Sequence, residues 1–185
     1  MTLQATLYLL ILPLMLAMQH FSVSVSNGIG KGALKPGTPL KTALLFAIIT
    51  FLMVMAGEFA GRFLEGRTDI PHHGLAFLFL LLIGVRMVWH AWKKKASQRI
   101  FDINQVPVIF ALALALGINM LFAGLALNFL DISTMRFAFT LSAAVLLLSF
   151  SGLLYGNQFG DTLGWKVELV AGIYVLGGGV ALLAG

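Results

Sequence analysis

The chain has 185 residues, of which 59% are hydrophobic and only 10% charged, and its mean hydropathy is +0.97. A soluble domain carries roughly 25% charged residues, so this surface cannot be covered by polar groups and the chain belongs in a bilayer. The net charge of +5 comes from basic residues clustered between apolar spans, which is a topology signal and not a nucleic-acid surface; the lack of cysteine excludes disulfides, thiolate metal sites and a cysteine nucleophile.

Six apolar segments follow, each near the about 20 residues that cross a hydrocarbon core. The first covers residues 3–26. No basic residue precedes Lys31, and the run outlasts a signal-peptide core, so it reads as a retained helix. Met15, Met18, Gln19, Ser22 and Ser26 share one face, extended by His20, Ser24 and Asn27. That polar stripe must face protein or water. The next connection holds Lys31, Lys35 and Lys41.

The second segment, 40–63, contains Thr50 and the GxxxG pair Gly57 and Gly61, which lets two helix backbones approach closely in lipid. Glu58 stands four residues before Arg62, the spacing of an ion pair on a helix surface. The third segment, 74–92, follows His72-His73, an adjacent pair too poor as a chelate to be assigned a metal. It carries Arg86 at depth, with Glu58 or Glu168 as candidate partners or a snorkelling route toward Lys93. His90 lies near its end, and Trp89, Trp92 and Lys93 to Lys95 form an interfacial anchor.

The fourth segment, 106–130, has Asn119 near its centre; the fifth, 135–156, repeats a GxxxG at Gly152 and Gly156; the sixth, 163–183, carries Glu168 in its first turns, where it complements the helix dipole. Basic residues dominate the first and third connections, which places both in the cytoplasm and both termini outside.

The expected fold is all-α: a single polytopic domain over 1–185, with six transmembrane helices in two inverted three-helix repeats. Residues 1–92 form the first repeat, 93–105 a basic cytoplasmic connection and 106–185 the second. Leu16-Ala17-Met18-Gln19-His20-Phe21 parallels Leu116-Gly117-Ile118-Asn119-Met120-Leu121. An odd number of helices per unit inserts the second copy upside down, and inverted repeats of this kind place a transport site near the midplane at their interface.

Over nearly its whole length the chain resembles the bacterial manganese efflux pump family, within the lysine-exporter superfamily. The resemblance rests on Met18-x-x-Phe21 with Ser24 and Gly28, and on Leu40-Lys41-Thr42-Ala43-Leu44 with Phe46, Gly57 and Gly61. His73-Gly74-Leu75-Ala76-Phe77, Gly84-Val85-Arg86-Met87, Ile118 with Leu121 and Gly124, and Glu168-Leu169-Val170-Ala171-Gly172 complete it. It implies a six-helix metal exporter. The departures fall on the family's acids: Gln19 and Asn119 stand where it has aspartates, Thr50 where it has an acid, and His90 where it has a glutamate.

Gln19 and Asn119 therefore read two ways. They line a substrate site with carbonyl oxygens but no charge for a divalent ion, or they bond each other as structural glue. Thr50, His20 and His90 are the expected neighbours of that site, with Gln19 and Asn119 as the candidate metal contacts; Glu58, Arg86 and Glu168 are candidates for ion pairing or proton coupling. Met15, Met18, Met53, Met55, Met87 and Met120 serve as core filler or, alternatively, as thioether ligands for copper(I).

No HExxH, GxSxG, Walker or nucleotide-binding motif is present. The expectation is a gradient-driven inner-membrane transporter, not an enzyme, with no cofactor and a small cation or solute as substrate. Its partners are the lipid bilayer and, as options, a homodimer mate or a second membrane protein. The rivals are a non-transporting subunit that binds protein or lipid through the former cavity, and a redox subunit with His20 and His90 as haem ligands.

Overall fold

The computed structural model describes residues 3–28, 37–65, 72–96, 103–130, 133–159 and 161–184. Among them every regular element is a helix: α1 (Leu3–Gly28), α2 (Thr38–Leu64), α3 (His72–Ala96), α4 (Val106–Asn128), α5 (Thr134–Phe159) and α6 (Asp161–Ala184). Lipid supplies no partner for backbone amides, so a spanning segment must satisfy its own. Four stretches, Thr38–Leu64, Gly74–Lys93, Val106–Asn128 and Thr134–Gly156, are each long and apolar enough to cross a membrane. The chain is an all-helical, polytopic membrane protein.

The helix starts are written locally. Gly37 precedes α2 in the left-handed conformation at φ 87°, which favours glycine, and Pro39 occupies the first turn, where its missing N–H costs nothing. Pro107 does the same for α4. The third helix runs on through Ala96, so residues 93–96, expected to begin the basic connection, are helical. Lysine is a good helix former, and cations near a helix C-terminus complement the dipole. Lys31, Lys35, Arg67, Asp69, Arg99 and Asp131, and the side chains of His72 and His73, lie outside the described residues.

Polarity is arranged inside out. Gln19, His20, Ser22, Ser24, Asn27, Thr42, Thr50, Asn119, Ser149 and Glu168 are buried, whereas Ile48, Leu52, Phe59, Leu147 and Tyr174 are exposed. A bilayer accepts those outer side chains; water would not. Trp89 and Trp92 are exposed at the end of α3, with Lys93 Nζ 5.2 Å from the Trp89 ring centroid, as an interfacial anchor requires.

Packing follows the small residues. α1 lies most closely on α5, α2 on α4 and α3 on α6, while α2 also packs on α5. A Cβ on Gly57 would collide with the Leu121 carbonyl, and one on Gly124 with the Val54 carbonyl, so α2 and α4 meet backbone to backbone. On the opposite side a Cβ on Gly28 would lie 2.7 Å from the Leu153 carbonyl oxygen, and one on Gly156 2.6 Å from that of Val25. Exchanging the two halves of the chain maps the α2–α4 contact onto the α5–α1 contact. Both GxxxG pairs expected from sequence thus sit in tight interfaces, each against the leading helix of the other half.

We expect Gly57→Ala to lower the stability of the purified protein by about 1–3 kcal/mol, because the methyl group must displace backbone. Gly177, which has no neighbour within 4 Å of its would-be Cβ, should tolerate alanine within about 0.5 kcal/mol. Thermal unfolding of both variants in detergent checks the contrast.

Candidate functional site

Helix α1 is the hub of the buried polar groups. Successive helical residues point about 100° apart, so Gln19, His20 and Ser22 leave α1 in different directions, toward α4, α2 and α6 respectively. All three are buried.

The first cluster joins α1, α3 and α4. Asn119 Nδ2 donates to Gln19 Oε1 at 2.5 Å, and Gln19 Nε2 donates to the Leu116 carbonyl at 3.2 Å. Arg86 Nη1 donates to Asn119 Oδ1, and its Nη2 to the Ala115 carbonyl at 3.2 Å. Helices α1 and α4 otherwise scarcely approach each other, so this amide pair is their direct polar link.

The second cluster joins α1 to α6. Ser22 Oγ donates to Glu168 Oε2 at 2.9 Å. Glu168 is the one buried acid among the described residues, and it lies within electrostatic reach of Arg86. Its expected role at the dipole of α6 is replaced by this cross-helix bond: α6 begins at Asp161, two turns earlier, and the dipole effect fades within the first turn. The third cluster is Thr50 Oγ1 against His20 Nε2 at 3.4 Å, with the His20 ring edge-on to Phe46 at 5.4 Å between centroids. His20 Nδ1 has no protein partner.

The structure therefore gathers Gln19, Asn119 and Arg86, sets Ser22 with Glu168 beside them, and pairs His20 with Thr50 on the flank of α1 facing α2. His90 does not join them: its side chain is exposed on α3, as is Trp89 next to it. With His20 buried against α2 and His90 exposed, the two offer no shared haem geometry. Glu58 bonds Arg62 at 2.7 Å on the outer surface, as its spacing implied, and does not reach Arg86. Met87 and Met120 are buried in the core, and Met15, Met18, Met53 and Met55 pack against it; they fill space between helices as ordinary methionines do.

No group of three or more His, Cys, Asp or Glu among the described residues could hold a metal ion. A hard cation at this level would depend on amide, hydroxyl and carbonyl oxygens with Glu168 as the sole nearby carboxylate. Sequence reading missed the Ser22–Glu168 bond. The available signal was that Ser22 falls one turn from Gln19 on the same polar stripe.

A family model described as "Putative manganese efflux pump" matches residues 33–183. The chain is 32% identical over 168 residues to the "Putative manganese efflux pump MntP" of Rippkaea orientalis, covering 91% of this chain and 90% of that protein. It is 34% identical over 162 residues to the protein of the same name from Crocosphaera subtropica, covering 87% and 86%. With the one from Sodalis glossinidius the identity is 30% over 186 residues, covering 99% and 93%. No solved structure matches.

The amide bridge has an energetic signature. In a double-mutant cycle of Gln19→Ala and Asn119→Ala, we expect a coupling of about 0.6–1.7 kcal/mol, the range for interhelical hydrogen bonds in membranes. The asparagine variant alone should cost more, because it also strands a guanidinium nitrogen. Reversible unfolding in mixed micelles measures both, and strictly additive single effects would show that the amides act independently.

Proposed function

The chain belongs to the manganese efflux pump family, and on that premise we propose that it exports manganese across the bacterial inner membrane. The observation that carries the reading is the Gln19–Asn119 bridge, which brings carbonyl oxygens from both halves of the chain to one buried level. Manganese is a hard ion that takes carbonyl, hydroxyl and carboxylate oxygen. Gln19, Asn119, Ser22 and Glu168 supply all three kinds around α1, and Thr50 adds a hydroxyl on the side facing α2.

The two halves act as inverted repeats on this reading. Residues 1–92 and 106–185 insert in opposite senses, the Lys- and Arg-rich connections lie in the cytoplasm, and both termini face outward. Alternating access then needs one repeat to rock against the other around the oxygens at their junction. The sequence has no nucleotide-binding motif, so an ion gradient drives export. Within the family's architecture, two central carboxylates are replaced by amides, which leaves Glu168 as the main compensation for a divalent charge.

Expression in a manganese-sensitive bacterium should lower cellular manganese. Gln19→Ala combined with Asn119→Ala should reduce that effect by about tenfold or more, with membrane insertion intact. Gln19→Asp with Asn119→Asp should raise export above the starting protein if the carboxylate-based geometry is preserved. Elemental analysis of the cells decides: no change in manganese or any other cation on expression of the unaltered chain would replace transport with a subunit that holds a protein or lipid partner.

A further inference from the structure

The Arg86 guanidinium sits on the oxygen that a metal ion would need. Gln19 Oε1 already accepts from Asn119 Nδ2, and Asn119 Oδ1 accepts from Arg86 Nη1. Both amide oxygens at the junction are thus committed, one of them to a permanent positive charge. A cation can reach Asn119 Oδ1 only when the guanidinium leaves it, because two cations will not share one carbonyl in a low-dielectric interior.

We propose that Arg86 is a tethered cation that exchanges with the transported ion: it rests on Asn119 in the absence of metal and withdraws toward the Ala115 edge of the bundle when metal enters. The inference rests on the transport reading above and adds to it the residue that resets the site.

Charge and geometry support the exchange. Glu168 and Arg86 together carry no net formal charge. Adding a divalent ion while the guanidinium stays would leave the site two units positive; replacing the guanidinium leaves it one unit positive, at a correspondingly smaller desolvation cost. The exit is built in. Arg86 is only half-buried, and its Nη2 already bonds the Ala115 carbonyl at the exposed side of the bundle. Its aliphatic stem can carry the charge along the helix toward Lys93, seven residues or about 10 Å further on. On release of the ion, the returning guanidinium takes back Asn119 Oδ1 and opposes rebinding.

A purely structural clamp between α3 and α4 would behave differently. Binding of manganous ion to the purified full-length protein, measured by equilibrium dialysis, separates the two. Arg86→Gln keeps hydrogen-bonding capacity without the charge and should bind manganese roughly tenfold or more tightly, while export in vesicles falls by a similar factor because the ion is no longer displaced. Arg86→Lys, which keeps the charge, should stay within about threefold of the starting protein. Lys93→Gln, which removes a positive charge on the same helix near Trp89, should leave affinity unchanged.

A second measurement needs no variant. An arginine-directed dicarbonyl reagent should label Arg86 faster when manganese is present, since the ion drives the guanidinium outward. Unchanged or slower labelling, or an Arg86→Gln affinity equal to or weaker than that of the unaltered protein, overturns the exchange. If the unaltered protein still exports manganese in that case, the transport reading stands and only the role of Arg86 falls. Failure of both the unaltered protein and Arg86→Gln to bind manganese overturns the exchange as well, and the cellular measurement then decides transport separately.

Discussion

A bilayer gives a buried polar group nothing to bond except other protein atoms. That constraint explains why Gln19, Asn119 and Arg86 form one chain of bonds ending on the Leu116 and Ala115 carbonyls, and why Ser22 turns to Glu168. Ser26 and Asn27 of the same helix satisfy themselves on the carbonyls one turn back, the usual local solution. The groups that reach across to other helices are the ones that fix how α1 sits against α4 and α6. A helix carrying this much polarity must turn its polar stripe to protein, and α1 does so by packing on α5 and α6 while its Ile11 and Leu14 stay exposed.

Glycine then sets the spacing. The backbone contacts of Gly57 with Gly124, and of Gly28 with Gly152 and Gly156, draw α2 to α4 and α5 to α1. Each leading helix is thereby clamped to the middle helix of the other half, while the leading helices barely meet each other. Where they do meet, the Gln19–Asn119 pair joins them, and Leu16, Ala17, Met120 and Ala123 belong to the same buried core. The same small residues that hold the bundle together therefore set the packing in which the two amides meet.

Much of this was legible in the residues. Two amides at the centres of the first and fourth apolar segments pointed to each other, as site or as structural glue, and the structure joins them directly. The Glu58–Arg62 spacing gave its ion pair, and the two GxxxG pairs gave close helix contacts. What the residues did not reveal was which helix each would meet. On α3 the buried Ala76, Leu80, Ile83, Met87 and Ala91 repeat at helical spacing, with His90 exposed beside them, but apolar residues lie on both faces, so residue type alone did not say which face meets protein and which meets lipid. The bond from Ser22 to Glu168 spans 146 positions, a separation at which only the assembled packing brings the two together.

Replacing carboxylates by amides at the core of such a site changes its electrostatics more than its shape. Aspartate and asparagine are similar in size, and the oxygen positions survive. The charge does not, and Glu168 with Arg86 then governs the local field. A site of two carboxylates attracts a divalent ion strongly and must work to release it, whereas one with neutral amides and a nearby guanidinium attracts it weakly and releases it readily. On the proposed export reading, capture of the ion at this point then rests on Glu168, and its release on the neutral amides and Arg86.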